Sequence, residues 1–139
     1  MWFFKGDIRS IEKVQKRGTK LILSIRDLTY EYRLHELKLP SLCHRRKRGD
    51  MIYTYKILTG KLNMEQEDFL KMTHLSTRGN GMKIFKKHAT KLPRINSFSN
   101  RIVNNWNSLT KNIVSADSVL SFKAELDKHW IDTKYETPF

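Results

Sequence analysis

The sequence predicts a mainly α fold, about five helices around one small core, with a short β-hairpin weighed near residues 77–97. Three observations lead there. Residues 7–25, 97–109 and 118–130 each repeat apolar side chains at the spacing of one helix face. Pro40 and Gly60 stand where two further helices would end. Seven Phe, three Trp and five Tyr, within a hydrophobic share of 39%, anchor a real but modest core. At 139 residues the chain suits a single domain, residues 1–139, with 131–139 as a polar, flexible tail.

The first helix covers residues 7–25. Ile8, Ile11, Val14, Gln15, Leu21 and Ile22 spread over an arc of roughly 140° on a helical wheel, with Arg9, Lys13, Lys16, Arg17 and Lys20 nearly opposite. Gly18 falls among the apolar positions, where it permits close approach by a neighbour. A second helix opens at Thr29 as N-cap, presents Tyr30, Leu34 and Leu37, and stops before Pro40. A third runs from about Ser41 to Leu58 with Met51, Ile52, Tyr55 and Leu58 at core spacing.

Beyond Gly60 the pattern is looser. Asn63 with Gln66 resembles a capping box for a short acidic helix through Leu70. Arg78, Gly79, Asn80 and Gly81 have turn chemistry. Residues 82–85 and 92–98 are the two candidate hairpin strands, flanking a basic loop at 86–91. A helix from about Ser99 then carries Ile102, Val103, Trp106 and Leu109, and a last one from about Ser118 carries Val119, Phe122, Leu126 and Trp130.

Charge narrows the function. Lys and Arg number 27 against 14 Asp and Glu, a net charge of +13. Residues 1–59 hold 14 basic and 6 acidic groups, 60–95 hold 8 and 3, and 96–139 hold 5 and 5. The excess lies in the first two thirds, and a localised field of this kind draws polyanions. Nucleic acid is the first such partner and an anionic membrane the second. A single Cys excludes an internal disulfide and fits a reducing compartment. The apolar run at Met1 to Phe4 is too short for a signal peptide, and no stretch reaches the ~18 apolar residues of a membrane span. The expectation is a soluble, intracellular protein that does not enter membranes.

Catalytic constellations are absent. Cys43 beside His44 has no companions at ligand spacing among His35, His74, His88 and His129, and there is no Gly-rich phosphate loop or Ser/His/Asp arrangement. No catalytic residue, metal site, cofactor or small-molecule substrate is expected. Phosphate contact is expected instead from three basic groups. Arg9, Lys13, Lys16, Arg17 and Lys20 form a helix face that forgoes the i,i+4 acid partners of an ordinary solvated face. Arg45, Arg46, Lys47 and Arg48 crowd the first turns of the third helix, where cations oppose the macrodipole. Lys83, Lys86 and Lys87 lie in and beside the basic loop.

The block SFSNRIVNNWNSL, residues 97–109, stands out. Asn104, Asn105 and Asn107 are poor helix formers placed between apolar positions, with Trp106 on the core stripe. Capping or bonding to a neighbouring loop fits Asn104 and Asn107 better than contact with nucleotide edges. Phe98, Ser99, Arg101, Val103, Asn104, Trp106, Asn107 and Leu109 match a Phe-Ser-x-Arg-Val-Val-Asn-x-Trp-Asn-x-Leu-Pro signature. That signature resembles the C-terminal region of non-LTR (LINE-type) retrotransposon reverse transcriptases, with Thr110 where that family usually has proline.

Further blocks follow in family order: Asp7-Ile8 with Ile11 to Arg17 and Thr19-Lys20; Leu28, Tyr30, Arg33-Leu34, Leu37 and Leu39 to Leu42; then Arg45-Arg46, Arg48 to Ile52, Tyr55 to Leu58 and Gly60. Thr77 to Gly79, Phe122, Leu126-Asp127 and Trp130 complete the series. The resemblance implies the thumb-side region after the catalytic palm, gripping RNA or an RNA/DNA primer–template duplex, with the upstream palm as its partner in a complete element. The family's paired catalytic aspartates have no counterpart here, because the sequence contains no Asp-Asp pair. The implied protein is a non-catalytic fragment of an RNA-directed DNA polymerase. The alternative is a helical protein-interaction or structural module with no nucleic-acid role.

Overall fold

The computed structural model describes residues 5–63, 65, 70–73 and 79–139, with Lys5 described by its backbone alone. Among them the fold is mainly α around a small core. The α-helices are α1 (Lys5–Lys20), α2 (Tyr30–Glu36), α3 (Leu42–Leu58), α4 (Leu92–Ile95), α5 (Phe98–Asn107), α6 (Lys111–Val114) and α7 (Val119–His129). Two 3₁₀ turns, Leu23–Ile25 and Ile131–Thr133, complete the set. The chain divides into two compact units, residues 5–47 with Trp130–Phe139 and Arg48–His129, the boundary falling inside α3.

In the first unit, helix ends follow local chemistry. Thr29 caps α2 with an extended ψ of 159° and accepts from the Tyr32 N–H. The end of α2 is a Schellman motif: Lys38 turns left-handed at φ 54°, its N–H reaches His35 O, and the Leu39 N–H reaches Leu34 O at 2.9 Å. Ser41 Oγ accepts from the His44 N–H at 3.1 Å and opens α3.

The predicted helix over 7–25 is shorter. It ends at Lys20 because Leu21 and Ile22 fold back through i−3 bonds to Gly18 and Thr19, while the Arg33 guanidinium takes the Lys16 carbonyl.

Burial of α1 departs from the apolar wheel. Val14 is 68% and Leu21 82% exposed, and Ile11 and Ile22 are exposed as well. The inward stripe is instead Ile8, Glu12, Gln15 and Thr19, of which Glu12 and Thr19 are buried and Ile8 and Gln15 half-buried. Hydrogen bonds explain the rotation. Glu12 Oε1 accepts from Tyr30 Oη at 2.6 Å and from the Leu42 N–H at 3.1 Å, and Oε2 accepts from the Cys43 N–H at 3.0 Å. The first residues of α3 expose donors with no partner inside the helix, and a carboxylate there also meets the positive end of the macrodipole. Gln15 Nε2 donates to Pro40 O at 3.1 Å on the same stripe.

Residues 134–139 are docked rather than free. Pro138 O accepts from Arg9 Nε, Thr137 Oγ1 donates to Glu31 Oε1 at 2.7 Å, and the Phe139 ring lies edge-on to Tyr30 at 6.3 Å. These contacts supply the packing that polarity alone did not foretell.

The second unit has the larger apolar core. Met51, Tyr55, Ile57, Ile84, Ile102, Trp106, Phe122 and Leu126 are essentially unexposed. Tyr55 stacks on Phe122 at 4.3 Å, and Trp106 lies 6.0 Å from the same ring. The expected stop at Gly60 is a second Schellman ending, with φ 68° and the Lys61 N–H on Lys56 O.

The weighed hairpin over 77–97 takes another form. Residues 92–95 are helical, opened by Lys91 with Pro93 in the first turn, where its missing N–H costs nothing. The extended segment at 83–85 pairs antiparallel with 71–73 through a single bridge, Met72 to Ile84. The acidic helix expected from Asn63 to Leu70 lies largely outside the described residues.

Two outcomes follow from the first unit. Glu12→Ala removes the acceptor for two helix N–H groups and one buried hydroxyl, and is expected to cost about 2–4 kcal/mol in urea denaturation. Glu12→Gln, which keeps one acceptor oxygen, should cost less. Docking of the tail is expected to depend on pH. The Thr137 hydrogen bond, and after it Glu31's own N–H, hold the Glu31 carboxyl below the usual carboxylate range. The docked state therefore favours the ionised carboxylate, and its advantage is complete above the ordinary range and lost as pH falls through the lowered value. Protection factors of the amides at residues 134–139, taken against intrinsic exchange at each pH, should be high near neutral pH and fall as the solution is acidified below the ordinary carboxylate range. In Glu31→Gln that acid dependence should vanish.

Candidate nucleic-acid interface

The basic face of α1 becomes a cleft because the chain turns back on it. After Lys20, the 3₁₀ turn at Leu23–Ile25 reverses the direction and returns Arg26 to the helix it has just left. The cleft, about 550 Å³, is lined by Lys13, Lys16, Arg17, Lys20, Arg26, Asp27, Leu28 and Arg33. Six of those eight residues are cations, and Asp27 is the single acid. Four were expected as phosphate ligands; Arg26 and Arg33 were not. Neither belongs to the basic face of α1: Arg26 lies in the loop after that helix and Arg33 on α2.

The six cations differ in what they can do. Arg33 is 4% exposed, and its guanidinium is spent on Thr19 Oγ1, Lys16 O and Leu28 O. It forms the floor of the cleft and ties α1 to α2. Lys13, Arg17, Lys20 and Arg26 are exposed on the walls. Lys16 Nζ lies 4.6 Å from the centre of the Phe139 ring, a cation–π contact that steadies the side chain without neutralising it. Arg17 and Lys20 also occupy the last turn of α1, where positive charge meets the negative end of the dipole. Arg26 and Asp27 approach only to 4.0 Å in solvent, which contributes little.

The other expected ligands scatter. Arg9 holds Pro138 O. Arg45 and Arg46 line a separate recess of about 370 Å³ with Ile8, Ile11, Leu42 and Cys43. Lys47 is exposed on α3. The Glu12 carboxylate beneath the first turn of α3 explains why cations are tolerated there. Arg48 is committed elsewhere: Nε and Nη2 make a bidentate pair with Asp127 at 2.6 and 2.9 Å, and this hydrogen-bonded partner raises its pKa further.

In the second unit Lys86 Nζ donates to Asn104 Oδ1 at 3.2 Å, Lys87 is exposed beside it, and Lys83 lies on the bridged segment with its side chain against Gly79. Asn107 faces the same segment: its amide oxygen accepts from the Ile84 N–H and its amide nitrogen donates to Ile84 O, both at 2.9 Å. Trp106 Nε1 donates to Met82 O, and Asn80 Nδ2 reaches Trp106 O and Leu109 O. The asparagines of α5 therefore hold a loop.

Fold and cleft together define a mainly helical, strongly basic module with a concave cationic face. Among the described residues no helix is long and apolar enough to cross a membrane. No protein-family model, curated protein or solved structure matches the chain.

Arg48 and the cleft lysines should separate in a binding assay. Arg48→Ala is expected to leave affinity for RNA within about twofold of the parent, since an exposed ion pair is worth only ~0.2–1 kcal/mol and its guanidinium is already engaged. Arg17→Ala, which takes an exposed cation from the cleft wall, should weaken binding measurably and lower the salt slope by about one if the cleft is where a polyanion lies.

Proposed function

We propose that this chain is a non-catalytic C-terminal portion of a LINE-type reverse transcriptase that grips RNA or a primer–template duplex through the cationic cleft along α1. The cleft carries the reading. It gathers Lys13, Lys16, Arg17, Lys20 and Arg26 around one concavity, a geometry that suits a phosphate backbone better than scattered surface charge does. Binding of this kind is electrostatic and sequence-independent, because cations displace counterions condensed on the polyanion. Polymerase chemistry needs paired metal-binding carboxylates, which this sequence lacks, so the chain contributes grip and not catalysis.

The resembling blocks support the ancestry by the way they interlock. Glu12 of the first block bonds Tyr30 and Leu42 of the second, and Asp50 of the third makes a bidentate pair with Arg101 of the fourth at 2.8 and 2.7 Å. Thr110 caps α6 with φ −74°, a value that a proline ring imposes, so the family's proline would fit there unchanged.

A second reading, a helical protein-interaction module, draws on the exposed apolar residues Ile11, Val14, Leu21 and Leu23. In a complete element the upstream palm is the partner such a face would meet.

Salt-titrated binding to RNA, duplex DNA and an acidic control polymer distinguishes the two. With about five phosphate contacts, log K should fall by roughly 4 per decade of salt. Changing Lys13, Lys16 and Lys20 together to Glu should abolish most of the affinity and flatten that slope. Unchanged RNA affinity and slope in the triple variant would sink the phosphate-gripping helix.

A further inference from the structure

Phe85 is an aromatic side chain that the fold holds in water. Its ring is 50% exposed, although burying it would be worth about 1.5–3 kcal/mol. The backbone around it explains why it cannot turn inward. On one edge the Phe85 N–H donates to Lys71 O at 2.6 Å and the Thr73 N–H donates to Lys83 O at 3.0 Å. On the other edge Asn107 takes both the N–H and the carbonyl of Ile84. Trp106 Nε1 anchors Met82 O one step earlier. Ile84 is 2% exposed and points into the core, so alternation along the extended segment sends Phe85 out. A segment pinned on both edges makes a rigid mount.

One cation lies at the ring and two more follow it in the chain. Lys71 Nζ lies 5.8 Å from the ring centroid. Lys86 follows directly in sequence, with its ammonium fixed on Asn104, and Lys87 is exposed beside it. A half-exposed aromatic ring with an ammonium over one face and two lysines next in the chain has the composition of a stacking platform for single-stranded nucleic acid: the face away from Lys71 takes a base, and the lysines take the flanking phosphates. Paired bases in a duplex keep their faces covered by their neighbours, which leaves the ring nothing to stack on.

We infer that Phe85, with Lys71 over one face of its ring and Lys86 and Lys87 next in the chain, is a base-stacking site for an unpaired nucleotide of single-stranded nucleic acid. It deepens the nucleic-acid reading without using the α1 cleft, since all of its residues lie in the second unit. In a complete polymerase such a site would hold template before pairing or strand after separation.

The test compares the full chain with Phe85→Ala and Phe85→Trp by fluorescence anisotropy. The probes are a labelled oligoadenylate, an abasic oligomer of equal length, and an RNA duplex. Stacking predicts that Phe85→Ala weakens oligoadenylate binding about tenfold, leaves the abasic oligomer and the duplex unchanged, and that Phe85→Trp restores the parent affinity. Equal losses on intact and abasic oligomers would show that the ring only supports the loop, and no loss on oligoadenylate would show that it touches no base. Either result overturns the site, as does failure of the parent chain to bind oligoadenylate. If the triple lysine variant of α1 still binds normally while Phe85→Ala weakens only the intact oligomer, the cleft reading fails and the platform stands.

Discussion

A carboxylate taken fully out of water holds the first unit together. Glu12 has no exposed surface, and the uncompensated cost of burying such a group is several kcal/mol. Three donors and the positive end of α3 offset that cost: Tyr30 Oη, the Leu42 N–H and the Cys43 N–H. Because one donor comes from α2 and two from the first turn of α3, this one side chain sets how α1, α2 and α3 meet. Tyr30 is matched to the task. Burial first, and then its bond to Glu12, raise its pKa far above the ordinary phenol value, which keeps the hydroxyl a donor. Fixing Glu12 inward also fixes what faces outward. Lys13, Lys16, Arg17 and Lys20 reach the cleft from the stripe that flanks Glu12 and Thr19.

Arg33 complements this arrangement at the other end of α1. Its guanidinium takes Lys16 O, where the helix runs out of internal donors, and Leu28 O, where the returning loop would otherwise lack one. The second unit uses amides for the same purpose. Asn107 imitates a strand edge for Ile84, and Asn80 closes the end of α5. With Asp50 and Arg101 paired nearby, polar groups specify the geometry around an apolar centre of Trp106, Phe122 and Tyr55. Such groups are costly unless satisfied, and among the described residues no buried side-chain nitrogen or oxygen lacks a partner.

Helix positions were legible in the sequence, and the reasons are local. Thr29, Ser41 and Gly60 act through their own backbone neighbours, so residue type alone locates them. Trp106 and Phe122 sit on apolar stripes wide enough to leave one choice of inner face. The inner face of α1 was not legible. A hydrophobic wheel weighs area, and the deciding groups here are Glu12 and Thr19, whose partners lie 18 and 14 residues away in sequence. Half of the site was readable for a related reason. Lys13 to Lys20 share one helix, whereas Arg26 arrives by a loop reversal and Arg48 leaves by pairing with Asp127, 79 residues later. Long-range partners decide both, and composition is silent about them.

Clustered charge has a cost of its own. Five cations that do not form the floor of the cleft repel one another, and Asp27 offsets little of that at 4.0 Å from Arg26. Two features lower the cost without removing the field. The C-terminal end of α1 favours Arg17 and Lys20, and the Phe139 ring attracts Lys16 through its π-face. Neither supplies a counter-charge, and the Glu31 carboxylate, close enough to Lys16 and Arg33 for their charge to favour its ionised form, supplies part of one. An acidic side chain at any wall position would have stabilised the isolated unit more simply, and the chain has none beyond Asp27. The fold steadies these cations and gathers them around one concavity, with Asp27 in its lining and Glu31 close enough to interact with Lys16 and Arg33.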